Sequence, residues 1–252
     1  MFFPIALVLF VLGAINASFV GVIVARLNTG QSILVGRSRC DACGRVLSPF
    51  ALVPIISYVA SHACAQCCGA RLSPLAPLTE LFLGGLFMLA YAVLGLDPAL
   101  PFMLLSISLI LALVLYDLAH QILPSRLLAA FIAASAVTGY LLAPSLAAFS
   151  ATLFPALLIA ASLALIHFIS GGRAMGFADA PLSFGLALLV GPAAFPGFVF
   201  SFWIGSLVGI IMLAQRPIGS RMGVEVPFAP FLAAGFLLAY FTQWNPFIFV
   251  AA

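Results

Sequence analysis

Two carboxylates carry the first chemical suggestion in this chain. Asp117 closes the apolar run PFMLLSISLILALVLYD, and Asp179 sits in MGFADAP just before another apolar run. They stand in a sequence that is 65% hydrophobic and only 6% charged. A carboxylate at a bilayer edge is costly to ionise, so it needs water, a partner or a task. Two such groups that approach each other share a proton, which is the arrangement of acid/base chemistry. Helix capping is the competing account. Asp179 can serve as an N-cap, because Ala180 and Pro181 follow it. Asp117 stands at a helix C-terminus, where the macrodipole disfavours an anion, so helix stability gives it no reason to be there. His120, three residues on, shares its helical face.

A second cluster has metal-binding spacing. Cys40-Asp-Ala-Cys43 and Cys64-Ala-Gln-Cys67 are two C-x2-C knuckles separated by 20 residues. Cys40, Cys43, Cys64 and Cys67 fit a four-cysteine zinc ribbon, in which each knuckle gives two thiolates to one tetrahedral ion. Gly44 and Gly69 follow the knuckles as turn formers. Cys68 either replaces Cys67 as a ligand or remains a free thiol. Four thiolates leave no open position for substrate, so the expected zinc is structural, and about fifty residues need such a staple. Disulfides conflict with a reducing cytosol.

The elements that must hold these residues are membrane helices. Repeated runs of about 20 apolar residues, with no lysine in the chain, predict an all-α polytopic membrane protein. The runs do not alternate as strands of a membrane barrel would. Spans are expected near 3–25, 76–96, 100–118, 127–143, 147–169, 180–193, 196–214 and 228–250, about eight transmembrane helices. This divides the chain into a first helix (1–25), a small cytosolic zinc-ribbon-like insertion (26–75) and a bundle of about seven helices (76–252). With eight spans, all nine arginines fall on one side, which the positive-inside rule makes cytosolic. Asp117 and Asp179 then share the cytosolic edge, and Asp97 lies in an outer turn. A net charge of +3 follows topology and implies no nucleic acid. The first segment lacks a basic start and is expected to be a retained span, not a cleaved signal. Ser57, Ser170 and Ser201 have no neighbouring His/Asp set, and His167 reads as an interfacial residue. Glu80, at the start of the second span, is expected to support the insertion.

Several stretches, in order, resemble the type IV prepilin peptidases. GAINASFVGVIVARL is similar to the family's first-span region, and RSRCDACGRVLSPFALVPIISYV with HACAQCCGARLSPLAPLTEL is similar to its two-knuckle segment. YDLAHQILPSRL and MGFADAPLSFGLAL resemble its two aspartate motifs, and VPFAPFLAAG resembles its last-span segment. The resemblance implies an intramembrane aspartyl protease of the G-x-G-D type in the bacterial inner (cytoplasmic) membrane. It implies Asp117 and Asp179 as the catalytic pair, prepilins or pseudopilins as substrates, and N-methylation of the new N-terminus from S-adenosylmethionine as a second activity. The sequence departs from the pattern at Ala178, where the family has glycine, at Pro181-Leu182, where its lysine is absent, and at Asn16 and Val20-Gly21. Those departures leave a catalytically degenerate scaffold open. The carboxylates alone also admit an ion- or proton-translocating membrane protein.

Overall fold

The computed structural model describes residues 2–32, 36–40, 42–215 and 226–246. Nine α-helices appear among them: α1 (Phe2–Arg26), a short α2 (Ile56–Ala60), α3 (Leu75–Leu94), α4 (Leu100–His120), α5 (Ser125–Leu142), α6 (Leu146–Ser170), α7 (Asp179–Val190), α8 (Ala194–Ala214) and α9 (Ala229–Thr242). The eight long helices match the eight expected spans. Six stretches are long and apolar enough to cross a membrane; one is the near-continuous α7–α8 segment Asp179–Ala214, and α9 is a shorter apolar helix. The chain is a multi-pass membrane protein. Arg216, Arg221 and Glu225 lie outside the described residues.

The chain forms two compact units, Met1–Leu96 and Asp97–Ala252. In the first, α1 packs along α3, and glycines permit the crossing. A Cβ on Gly13 would stand 2.8 Å from the Gly84 Cα, and one on Gly84 would stand 2.8 Å from the Phe10 carbonyl. Such close backbone approach is how helices associate where no water drives them together. The other face of α1 exposes Phe3, Leu7, Val11 and Ile15, as a lipid-facing surface does.

In the second unit, α5 packs against α4 and α7, α6 against α7, and α9 against α8, α7 and α4. The core is formed by Phe131, Leu186, Leu232 and Phe236, all fully buried. Gly185 lies against the Phe131 ring, and Gly197 against Phe236. A Cβ on Gly235 would collide with the Ser201 backbone. Ser201 is itself spent on packing: its hydroxyl donates to the Gly197 carbonyl at 2.8 Å and the Leu232 carbonyl at 3.3 Å. Gly191, with φ 55°, makes the break between α7 and α8.

Candidate functional site

Asp117 lies in the last turn of α4 because the helix stops three residues later. Gln121 takes a left-handed conformation (φ 54°) and its N–H closes the helix on the Asp117 carbonyl at 2.7 Å. Asp179 is the first residue of α7, entered through a turn in which its N–H donates to the Gly176 carbonyl at 3.3 Å. Both aspartates are buried, each 7% exposed. They come from helices at opposite ends of their respective dipoles, brought to one region by α5 and α9, which each pack on α4 and α7. The Asp117 and Asp179 carboxyl groups are near enough to interact electrostatically. The backbone N–H of Ala229, at the start of α9, faces the Asp117 carboxyl group. Among the described residues, Asp117 Oδ2 is buried without a hydrogen-bond partner. A buried carboxyl oxygen with nothing to bond is costly in a purely structural role and free to engage water or substrate.

Two neighbours differ from what their spacing suggested. His120 is exposed and its ring lies tilted against Tyr116, with centroids 4.4 Å apart and planes at 44°, rather than joining Asp117. His167, read as interfacial, organises the turn that delivers Asp179. Its Nδ1 lies 2.9 Å from the Met175 carbonyl, its own carbonyl accepts from Gly172 N–H, and its ring meets Phe177 edge-on. The signal was nonlocal: a histidine at a helix end eight residues before the carbonyl it holds. Ala178 has φ −67° and ψ −16°, ordinary right-handed backbone that costs alanine nothing. Glycine is therefore not required there by conformation. Nor does Gly176 crowd the site, since a Cβ on it would stand 3.5 Å from Asp179 Oδ2.

The cysteine segment forms two matched knuckles. Isolated antiparallel bridges join Arg39 to Val46 and Cys64 to Arg71. Inside them, Cys40 N–H donates to Arg45 and Gly44 N–H to the Cys40 carbonyl; Ala65 N–H donates to Ala70 and Gly69 N–H to the Ala65 carbonyl. Gly44 and Gly69 both turn left-handed, at φ 70° and 71°. This register equates Cys43 with Cys68 and Cys64 with Arg39, so Cys64 sits at its own bridge opposite Arg71. Accordingly the sulfurs of Cys40, Cys43, Cys67 and Cys68 lie within 4.8 Å of one another. Cys64, expected as the fourth thiol, is outside that group, and Cys68 stands in it. The Cys40–Cys68 separation is 3.8 Å, Cys43–Cys67 3.3 Å and Cys67–Cys68 3.9 Å. A tetrahedron with Zn–S bonds of about 2.3 Å has S···S edges of about 3.8 Å, so the donor set fits zinc in number, chemistry and size. Backbone N–H groups of Cys43 and Ala42 bring the Cys40 thiol down to about 7, while hydrogen bonds to the Cys43 and Cys40 sulfurs push Cys67 up to about 12.

Comparison with known proteins follows the same division. Residues 11–94 match the family model of the bacterial peptidase A24 N-terminal domain, which spans most of the first unit. A prepilin leader peptidase/N-methyltransferase of Bacillus subtilis is 31% identical over 237 residues, covering 92% of each chain. The like-named protein of Pseudomonas aeruginosa is 27% identical over 205 residues, covering 80% of this chain and 70% of that one. That of Myxococcus xanthus is 40% identical over 119 residues, which are 47% of this chain and 36% of its own length. No solved structure matches.

Proposed function

The chain belongs to the prepilin leader peptidase/N-methyltransferase family, and on that premise we propose that it is an intramembrane aspartyl endopeptidase acting on prepilins or pseudopilins. Asp117 and Asp179 are the proposed catalytic pair. The observation that carries this is the convergence of two buried carboxyl groups from different helices, one with an oxygen that no described protein group satisfies. Two like charges in one low-dielectric site do not both ionise comfortably, so the pair holds one proton between them. The ionised member takes a proton from water as the water attacks the scissile carbonyl. The protonated member hydrogen-bonds the carbonyl oxygen, and the leaving amine is protonated as the tetrahedral intermediate collapses. No covalent acyl-enzyme is needed. Ala178 supports an active pair over a degenerate scaffold, because its backbone conformation suits alanine.

The substrate is proposed to lie in the bilayer with its leader on the side that carries the arginines, the cytosolic face of the bacterial inner membrane. The cysteine insertion is assigned to the same face by the positive-inside rule. Cys40, Cys43, Cys67 and Cys68 would hold a structural zinc, which staples the two knuckles and takes no part in hydrolysis. Methylation of the new N-terminus from S-adenosylmethionine is proposed as a second activity on the relatives' names alone; no residue of this chain is assigned to it. Co-expression with a prepilin, followed by mass measurement of the pilin, tests both. Loss of the leader supports the peptidase, and one added methyl group supports the transferase. An unprocessed prepilin beside folded, membrane-inserted enzyme contradicts the proposal.

A further inference from the structure

Between the two knuckles lies a cavity of about 520 Å³ that hydrolysis does not use. Arg39, Arg45 and Arg71 line it, together with Ser57 and Ser73 and the thiol-bearing Cys40, Cys64 and Cys67. No described residue lining it is acidic. Arg39 spends one N–H on the Gly44 carbonyl at 3.4 Å, whereas Arg45 and Arg71 have no side-chain hydrogen bond or ion pair among the described residues. A zinc ion held by four thiolates carries a net charge of about −2, so the three arginines leave the described lining net positive, and an anion placed among them offsets the remaining repulsion. Arginine forks and hydroxyl donors together suit phosphate oxygens.

The wall of the cavity says where that phosphate comes from. The connecting segment Phe50–Ala60 turns Ala51 and Ser57 toward the cavity. Four of its apolar residues do not line the cavity and are exposed instead: Phe50, Leu52, Ile56 and Val59 are 49%, 46%, 58% and 67% exposed. Exposed aliphatic and aromatic side chains back-to-back with a basic pocket form an interfacial element, apolar toward acyl chains and cationic toward headgroups. The segment is tethered at both ends to membrane-capable helices, α1 ending at Arg26 and α3 beginning at Leu75. We propose that this cavity binds the phosphate headgroup of an anionic phospholipid, with Phe50, Leu52, Ile56 and Val59 seated in the adjoining leaflet. The lipid fixes the cysteine insertion against the membrane surface.

The test uses the full chain in detergent, exposed to equal amounts of phosphatidylglycerol and phosphatidylcholine with identical acyl chains. Native mass spectrometry reads the lipid retained. The wild type is expected to keep one phosphatidylglycerol preferentially. Arg45→Gln with Arg71→Gln should cut that preference roughly thirtyfold, since each basic side chain near an anionic surface contributes about fivefold. Arg45→Lys with Arg71→Lys should retain most of it. Arg126→Gln with Arg173→Gln, outside the insertion, should leave it unchanged. Bound zinc in each variant reports whether the knuckles are folded; if the double glutamine variant loses it, Arg71→Gln alone carries the comparison. Equal preference in wild type and glutamine variants overturns the proposal, as does an equal loss in the Arg126/Arg173 control. Binding of inorganic phosphate with no preference between the two lipids overturns the lipid assignment.

Discussion

Glu80→Ala should release the segment between the knuckles while leaving the helices intact. Glu80 is buried on α3, and its Oε2 accepts the N–H of Ile55 at 2.7 Å. Ser18 of α1 stands near the same carboxyl group. Ile55 precedes α2 with φ 60° and ψ −52°, and Ile56 N–H closes a three-residue turn on the Pro54 carbonyl at 2.5 Å. This is a γ-turn of the strained, positive-φ hand, occupied by a β-branched residue, where an intrinsic cost of about 1–3 kcal/mol is expected. Such a conformation persists only when its surroundings hold it, and the Glu80 carboxyl oxygen is the holding group. Removing the acceptor strands a half-buried donor at about 1–3 kcal/mol. At about 2 kcal/mol the local opening equilibrium rises roughly thirtyfold. Hydrogen-exchange mass spectrometry on the full-length protein should therefore show faster exchange across residues 55–60 at nearly constant exchange in α3. Glu80→Gln, which keeps an acceptor oxygen, should recover most of the protection. Ile55→Gly should relieve the strain and lessen the effect of Glu80→Ala, so the two changes should be non-additive. Wild-type exchange in Glu80→Ala, or a glutamine variant as open as the alanine one, would refute the clamp.

His167→Ala should lower peptidase turnover without unfolding the bundle, because it frees the Met175 carbonyl and the Phe177 contact in the turn before Asp179; faster exchange confined to residues 171–178 is the accompanying structural readout. Cys68→Ser should reduce zinc content well below that of Cys64→Ser, and equal loss in both, measured by metal analysis, would contradict the knuckle register. Zinc uptake by the metal-free insertion should strengthen as pH rises through about 7, where Cys40 gives up its proton, and should release further protons from Cys67; titration at several pH values checks the sign. Gly235→Ala should destabilise the α8–α9 contact by about 1–3 kcal/mol, since its methyl meets the Ser201 backbone rather than a movable side chain; a thermal shift in detergent reads it.

The helices were legible because most are apolar runs, six stretches of them long enough for a bilayer. Their abutment was harder to read, and Asp179–Ala214 shows why. A single left-handed glycine at 191 separates α7 from α8 with almost no polar linker. The cysteine spacing announced a metal site, yet C-x2-C repetition pointed to Cys64 where the sulfurs gather Cys68. Backbone register decides that choice: a bridge at Cys64 turns it away, and adjacent Cys67 and Cys68 cannot be ranked by spacing. Ala178 looked like a defect when judged by residue type, but its φ is negative and only the backbone reveals that. The position of Asp117 and Asp179 at the ends of apolar runs was legible in sequence, but their burial was not. Their mutual approach depends on α5 and α9 and has no local signature.

The central claim is that Asp117 and Asp179 together hydrolyse the leader peptide. Its most direct test is prepilin cleavage by Asp117→Asn and Asp179→Asn in membranes, with expression and zinc content matched to the wild type. Asparagine keeps the size and removes the ionisable group, so each variant is expected to lose cleavage by at least a hundredfold, the lower range for acid/base groups. The double variant should lose little more than either single one, because the pair acts as a unit. Cleavage at the wild-type rate in either single variant would contradict the account.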